Sequence, residues 1–370
     1  MKLLLRCVIY PLLVFILVML AAGLAYRSYK QSTIANQVKI DSPEGIETLE
    51  LVELNGLKQW VKIRGHDTNN PILLYLHGGP GMPELPFSHL FDLEIEKHFA
   101  VVHWDQRGSG KTRRQGFSNK DLTVPVFIDD TLALTSHLRA RFQQDKIYLA
   151  GHSWGSMLGT LVVQRQPESF HAYIGLGQIV NLHDNEVVSL NFARAAAVAD
   201  KNNTAIEELA ALQPPYADDI AQLRVQRKWL YYYGGGFRGL GYTDLILAVF
   251  TSPDYSLADI SSMLEGLDVS AVMWPELATY NLEETALNWQ VPVYFFAGRY
   301  DYNTPSELAQ RYFDNLSAPH KAFIWFENSA HMMNLSDPHR YQDMMINRVL
   351  AETQNPREIG SARWPALAEP

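Results

Sequence analysis

Gly151-His152-Ser153-Trp154-Gly155 sets a serine between glycines, directly after the apolar run KIYLA and directly before a stretch rich in small residues. A G-x-S-x-G sequence at a strand-to-helix turn presents the serine oxygen, and the flanking glycines remove side chains that would crowd it. A serine hydroxyl is a weak nucleophile near neutral pH, so this chemistry needs a base, and the base needs an acid to orient it. In this chain order the acid follows a later strand and the histidine a still later one. VPVYFFAG at 291–298 leads into Arg299-Tyr300-Asp301, and AFIWFE at 322–327 leads into Asn328-Ser329-Ala330-His331. The expected catalytic set is Ser153 as nucleophile, Asp301 as acid and His331 as base. Asp337, His320 and His339 are rivals, but none directly follows a strand-like run, which favours solvated loop or helix positions for them.

Acyl transfer also needs donors for the oxyanion that develops on the attacked carbonyl. His77-Gly78-Gly79-Pro80-Gly81 follows the apolar run ILLYL. The backbone N–H groups of Gly79 and Trp154 are the candidate oxyanion hole, where one donor is worth roughly 3–4 kcal/mol of barrier. His77 is expected to be a structural hydrogen-bonding residue rather than a second base.

Gly108-Ser109-Gly110-Lys111-Thr112 invites a different reading, as a phosphate-binding loop. That motif requires G-x-x-x-x-G-K-[ST]. Its first glycine would fall at 105, which is Asp105, so the loop that wraps phosphates is missing. Asp105 and Arg107 are expected instead to form an ion pair or hydrogen-bond bracket that fixes the oxyanion loop, with Lys111-Thr112 as a polar exit. GGGFRGLG at 234–241 reads as a flexible turn.

Positioning these residues requires a sheet. Strand-like runs at 47–54 and 58–64 bracket Asn55-Gly56 and predict a hairpin. Apolar runs at 72–77, 100–105, 146–151 and 172–177 then alternate with helical patterns near 126–142 and 154–164, and the alternation resumes at 291–298 and 322–327. Continuous apolar strands separated by helices predict an α/β fold with a mostly parallel central sheet and helices on both faces. Between 179 and 288 helical patterns dominate, at 191–199, 204–212 and 220–233, and predict a helical cap inserted into the sheet. The expected organisation is an N-terminal apolar segment at 1–30, a linker at 31–44, core at 45–178, cap at 179–288, core at 289–354 and a loose tail at 355–370.

Residues 7–26 carry no charge and are about as long as a helix needs to cross a bilayer. They predict a membrane-spanning anchor with the catalytic part outside the cytoplasm; a cleaved secretion signal, processed near the small residues at 21–25, is the alternative. The formal charge of −9 over 370 residues, without a dense Lys/Arg cluster, excludes nucleic acid as the main partner. One cysteine, Cys7, excludes an internal disulfide and a cysteine-rich metal site. No cofactor or metal is expected, the partner is a small-molecule or short-peptide substrate, and the oligomeric state is left open. Asn202, Asn315 and Asn334 stand in glycosylation-type triplets, relevant only in a eukaryotic secretory pathway.

Together, HGGPG at 77–81, WDQRGSG at 104–110, GHSWGS at 151–156, Gly298-Arg299-Tyr300-Asp301 and Ala330-His331 resemble the proline iminopeptidase family of α/β-hydrolases across residues 55–350. The resemblance implies the α/β-hydrolase fold, a Ser153-Asp301-His331 triad and a helical cap. It also implies removal of an N-terminal residue, preferably proline, with acidic cap residues holding the free amine. The Trp-Glu pairing typical of that cap is missing from LNFARAAAVADKNNTAIEELAAL, so Glu207, Glu208, Glu276, Glu283 and Glu284 are the candidate amine partners. Two other functions compete with a peptidase. The anchor and the aromatic cap residues Trp229, Tyr231, Tyr232, Tyr233 and Trp274 suit an esterase or lysophospholipase at the bilayer, although the same aromatics also suit packing. A non-catalytic binding protein on the same fold is the reading from another class.

Overall fold

Runs such as ILLYL, AVVHW and VYFFAG have no polar face to offer water, and they form strands buried at every residue. In the computed structural model, which describes residues 8–216 and 219–354, the strands are β1 (Ile46–Leu54), β2 (Leu57–Gly65), β3 (Ile72–Leu76), β4 (Ala100–Trp104), β5 (Ile147–His152), β6 (Phe170–Leu176), β7 (Val293–Gly298) and β8 (Lys321–Phe326). They join in the order β1-β2-β4-β3-β5-β6-β7-β8. The first hairpin and the β2–β4 pair are antiparallel, and every later pair is parallel. The hairpin closes at Asn55-Gly56, both at positive φ, the turn that matches strand twist. Side chains alternate across the sheet, so Leu74, Leu76 and Val102 enter one core and Leu73, Tyr75 and Val101 the other.

Helices cover both faces. α1 (Tyr10–Gln37) precedes the sheet, and α2 (Val124–Phe142) and α3 (Trp154–Arg165) lie on the face that holds Leu74. Between β6 and β7 come α4 (Leu182–Ala199), α5 (Asn203–Ala210), α6 (Ile220–Tyr232), α7 (Tyr242–Thr251) and α8 (Leu257–Ser270), followed by short turns at Trp274–Leu277 and Leu282–Thr285. Their starts are capped in the usual way: Asn181, Asn202 and Asp219 side chains accept N–H bonds at the heads of α4, α5 and α6, and Ser256 closes a capping box on α8. After β7 and β8 come α9 (Ser306–Asn315) and α10 (Pro338–Met344), the latter running on to Gln354. The tail expected at 355–370 and the residues before Val8, Cys7 among them, lie outside the described residues.

α1 is long and apolar enough to cross a membrane, with none of its apolar window buried. It differs from expectation at its far end: the stretch read as a linker from residue 31 stays helical to Gln37. The reason is docking. Arg27 donates to the carbonyl of Tyr255, and Gln31, one turn on, donates to the carbonyl of Ser252 at 2.6 Å. Polar residues that would fray alone are held in helix by these bonds.

The approach of α3 to the sheet rests on Gly155, where an added Cβ would lie 2.0 Å from the carbonyl oxygen of Leu76. Backbone cannot yield as a side chain can. Gly155→Ala is expected to lower unfolding free energy in urea denaturation by about 1–3 kcal/mol, the usual cost of overpacking.

Candidate active site

Ser153 stands between β5 and α3, as the N-cap of α3, at φ 54° and ψ −121°, a sparsely populated conformation for a residue with a side chain. The surroundings hold it there: its N–H donates to Leu176 O at 2.9 Å, and its carbonyl accepts from Ser156 N at 2.8 Å and from Ser156 Oγ at 2.6 Å. Asp301 follows β7 and His331 follows β8, and the fold joins them, with His331 Nδ1 2.9 Å from Asp301 Oδ2. The carboxylate also accepts from Thr304 Oγ1 at 2.8 Å and from the N–H groups of Asn303 and Thr304 at 2.9 Å. Burial lowers the affinity of His331 for a proton, and Asp301 offsets this only in part, so its pKa lies below the usual 6.5. The rivals stand elsewhere: Asp337 caps α10, His320 pairs with Glu352 at 3.0 Å, and His339 is exposed.

The HGGPG loop lies against the serine turn, and a Cβ added at Gly78 would come 3.1 Å from Ser153 Cβ. His77 keeps the loop in shape. Its Nδ1–H donates to Gly78 O at 2.8 Å, and its Nε2 accepts from Gln106 N at 3.2 Å. Burial brings its pKa down to about 4, consistent with a neutral ring that both donates and accepts. Gln106 completes the brace, donating to His77 O at 3.3 Å while its Oε1 accepts the indole N–H of Trp154 at 3.0 Å. The bracket on the HGGPG loop is thus Gln106, which corrects the expectation for its two neighbours. Arg107 pairs with Asp130 at 3.0 Å, and Asp105 accepts from Tyr255 Oη and from Lys111 N. Nor is Lys111-Thr112 a polar exit, since Lys111 Nζ reaches Asp259 of the cap at 2.9 Å and buried Thr112 accepts from Trp60 N at 2.8 Å.

A second carboxylate and histidine, missed in the sequence, lie beside this site. Glu84 is fully enclosed and accepts from His152 Nδ1 at 2.6 Å, Tyr75 Oη at 3.0 Å and Asn334 Nδ2 at 3.1 Å. His152 Nε2 donates to the carbonyl of His331 at 3.0 Å, and the two rings stand 4.6 Å apart. Both nitrogens of His152 face acceptors, which favours the imidazolium. Burial opposes charge on both partners, yet the charge and hydrogen bond each supplies prevail: His152 is raised above 6.5 and Glu84 falls to about 2. The one signal in the sequence was a carboxylate inside the otherwise apolar MPELPF.

The cap touches the same loops. Gly235 O accepts from Tyr302 N at 2.8 Å and Gly236 O from His331 N at 3.1 Å, so the glycine run expected as a flexible turn is bound to the loops that carry Asp301 and His331. Tyr231 Oη donates to Asn303 Oδ1 at 3.1 Å, and Phe192 stacks on Tyr302 at 3.9 Å. The acidic candidates are occupied elsewhere or turned to solvent. Glu208 binds Lys228 and the Trp229 indole, Glu276 accepts from Val124 N, Glu283 pairs with Arg311, Glu284 accepts from Asn281, and Glu207 is exposed. Two cap carboxylates are buried among the described residues and both are paired: Glu186 is held by both terminal nitrogens of Arg227 at 2.6 and 2.7 Å, and Asp259 by Lys111.

Glu84→Gln is expected to cost about 1–3 kcal/mol of unfolding free energy, as for a buried hydrogen-bonded group left mismatched. The folded-state pKa of Glu84 is depressed, so its contribution is present above the unfolded value of 4.5 and is lost as pH falls toward about 2. His152 is raised, so its contribution is full below 6.5 and fades above its folded value. Urea titrations across pH should therefore show the widest gap between the two proteins from 4.5 to 6.5, narrowing on the acid side.

Comparison with known proteins places this architecture. The profile of the α/β hydrolase fold matches residues 71–338. A probable aminopeptidase, YbaC of Bacillus subtilis, is 34% identical over 304 residues, 81% of this chain and 95% of that protein. Among solved structures, a proline iminopeptidase of Mycobacterium smegmatis superposes with a TM-score of 0.60 at 16% identity, over 84% of this chain and all of that one. A bacterial membrane phospholipase A superposes at 0.59 and 15% identity, over 96% of this chain and all of that one. The chain belongs to the α/β hydrolase fold family.

Proposed function

We propose that this chain is a serine hydrolase of aminopeptidase type, cleaving an N-terminal residue from small peptides or amides through an acyl-enzyme. The observation that carries it is the bonded His331–Asp301 pair on the loops after β7 and β8, beside the strained turn that holds Ser153. With Nδ1 engaged, Nε2 of His331 is the nitrogen left to take the proton of Ser153 as its Oγ attacks the carbonyl carbon. The tetrahedral oxyanion is received by the N–H groups of Gly79 and Trp154, the latter in the first turn of α3 where no helical acceptor exists. Collapse breaks the C–N bond, and His331 returns the proton to the leaving amine. Water then gives a proton to His331 as it attacks the acyl carbon, the C–Oγ bond breaks, and His331 returns the proton to Ser153 Oγ as the product acid leaves. The relationship to the probable aminopeptidase of Bacillus subtilis supports the peptidase assignment.

A membrane-associated esterase is the second reading, and one observation favours it: the buried cap carboxylates Glu186 and Asp259 are already neutralised by Arg227 and Lys111. We also read α1 as a single-pass anchor with the catalytic part outside the cytoplasm. The bonds from Arg27 and Gln31 to the cap support an intact helix over a cleaved signal, because cleavage at 21–25 would leave the docked turns as a frayed stub.

Hydrolysis of prolyl and other aminoacyl arylamides beside acyl esters discriminates the two readings, with turnover of the arylamides expected and turnover of esters alone overturning the peptidase. Ser153→Ala should lose about 10⁴-fold or more in kcat on either class. Because the neutral form of His331 is the base and its pKa is lowered, kcat/KM should hold as pH falls to 6.5 and decline only below it.

A further inference from the structure

The cap exposes large apolar side chains next to α1. On α7, Ile246 is 66% and Leu247 44% exposed, and this helix packs against the polar end of α1. Phe250, one turn beyond Ile246, lies under the guanidinium of Arg27 at 5.7 Å. Arg27 is the first charge after the uncharged stretch at 7–26, so its height marks where an anchor would leave the hydrocarbon. The segment Leu85–Leu90 also packs on α7, and Leu90 and nearby Leu93 are 42% and 37% exposed.

We propose that the Ile246–Leu247 face of α7, with Leu90 and Leu93, seats in the surface of the bilayer that α1 crosses. The proposal rests on reading α1 as an anchor. α7 has ten residues, about 15 Å of helix, which is too short to span and suits an amphipathic segment lying in the interface. A lipid surface is the occupant because the patch continues from the membrane exit of α1, a place where water-facing Ile and Leu would otherwise be solvated. The consequence reaches the active site through α8, which follows α7. Gly266 of α8 meets Gly81 of the HGGPG loop backbone to backbone, and a Cβ on either would come within 2.3 Å of the other's carbonyl oxygen. The part of the cap seated on lipid is thus continuous with the part that rests on the oxyanion loop.

The test uses the full chain in phospholipid vesicles, with Cys7→Ser and one bimane-labelled cysteine at a time. The sites are Leu17→Cys in α1, Leu247→Cys on α7, and the exposed Asp145→Cys just before β5, at the end of the strands away from the cap. Doxyl-lipids and aqueous iodide serve as quenchers. Lipid quenching at 247 at least about twofold above that at 145, strongest with the nitroxide near the headgroups, is the expected result. Quenching at 247 equal to that at 145, with 17 quenched by lipid, overturns the proposal and leaves the anchor standing. Iodide quenching at 17 overturns the anchor and the proposal with it. Protection of 247 from both quenchers points to a second copy of the chain on this face and also overturns it.

Discussion

One buried carboxylate, Glu84, ties together three segments that converge around Ser153. It binds Tyr75 on β3, His152 at the head of the serine turn and Asn334 beyond His331. A lone charge in this interior would be costly, so each partner is needed for the others to stay buried. Through His152 the same pair grips the carbonyl of His331, and burial together with the neighbouring His152 lowers the pKa of His331.

The cap is fastened around that centre on three sides. Over the loops of Asp301 and His331, backbone bonds from Gly235 and Gly236 do the work. Over the HGGPG loop, Gly266 meets Gly81 with no side chain between them. Along the flank, Lys111 and Arg114 share Asp259, and Lys62 binds Asp254. The GSGKT stretch that imitates a phosphate loop thus belongs to a clasp between core and cap. Its lysine serves a carboxylate of the same chain, and Gly110 at φ 46° turns the backbone so that Lys111 N reaches Asp105.

Much of the architecture was legible because burial on both faces writes itself as continuous apolar sequence. The strands from β3 onward stood out for that reason, and Asn55-Gly56 announced its hairpin by turn chemistry alone. Ser153, Asp301 and His331 could be placed at strand ends because chain order and local pattern are properties of the sequence. Other features were misread where a local pattern has two uses. Residues 31–37 are polar and read as a linker, yet their helix is held by contacts with Ser252 and Tyr255, more than two hundred residues away. GGGFRGLG reads as loose, yet its carbonyls are fixed by Tyr302 and His331.

Local chemistry therefore determined the sheet, the serine turn and the order of the candidate residues, since each depends on neighbours a few positions apart. Pairings were decided only by the tertiary structure. Arg107 is bound to Asp130 rather than bracketing the loop with Asp105, Glu84 lies against His152, and Glu186 is neutralised by Arg227. The physical reason is that a charged side chain reads the same at every exposed or buried position in a sequence, while its partner is chosen by which strand ends and cap helices the fold brings within about 3 Å of it.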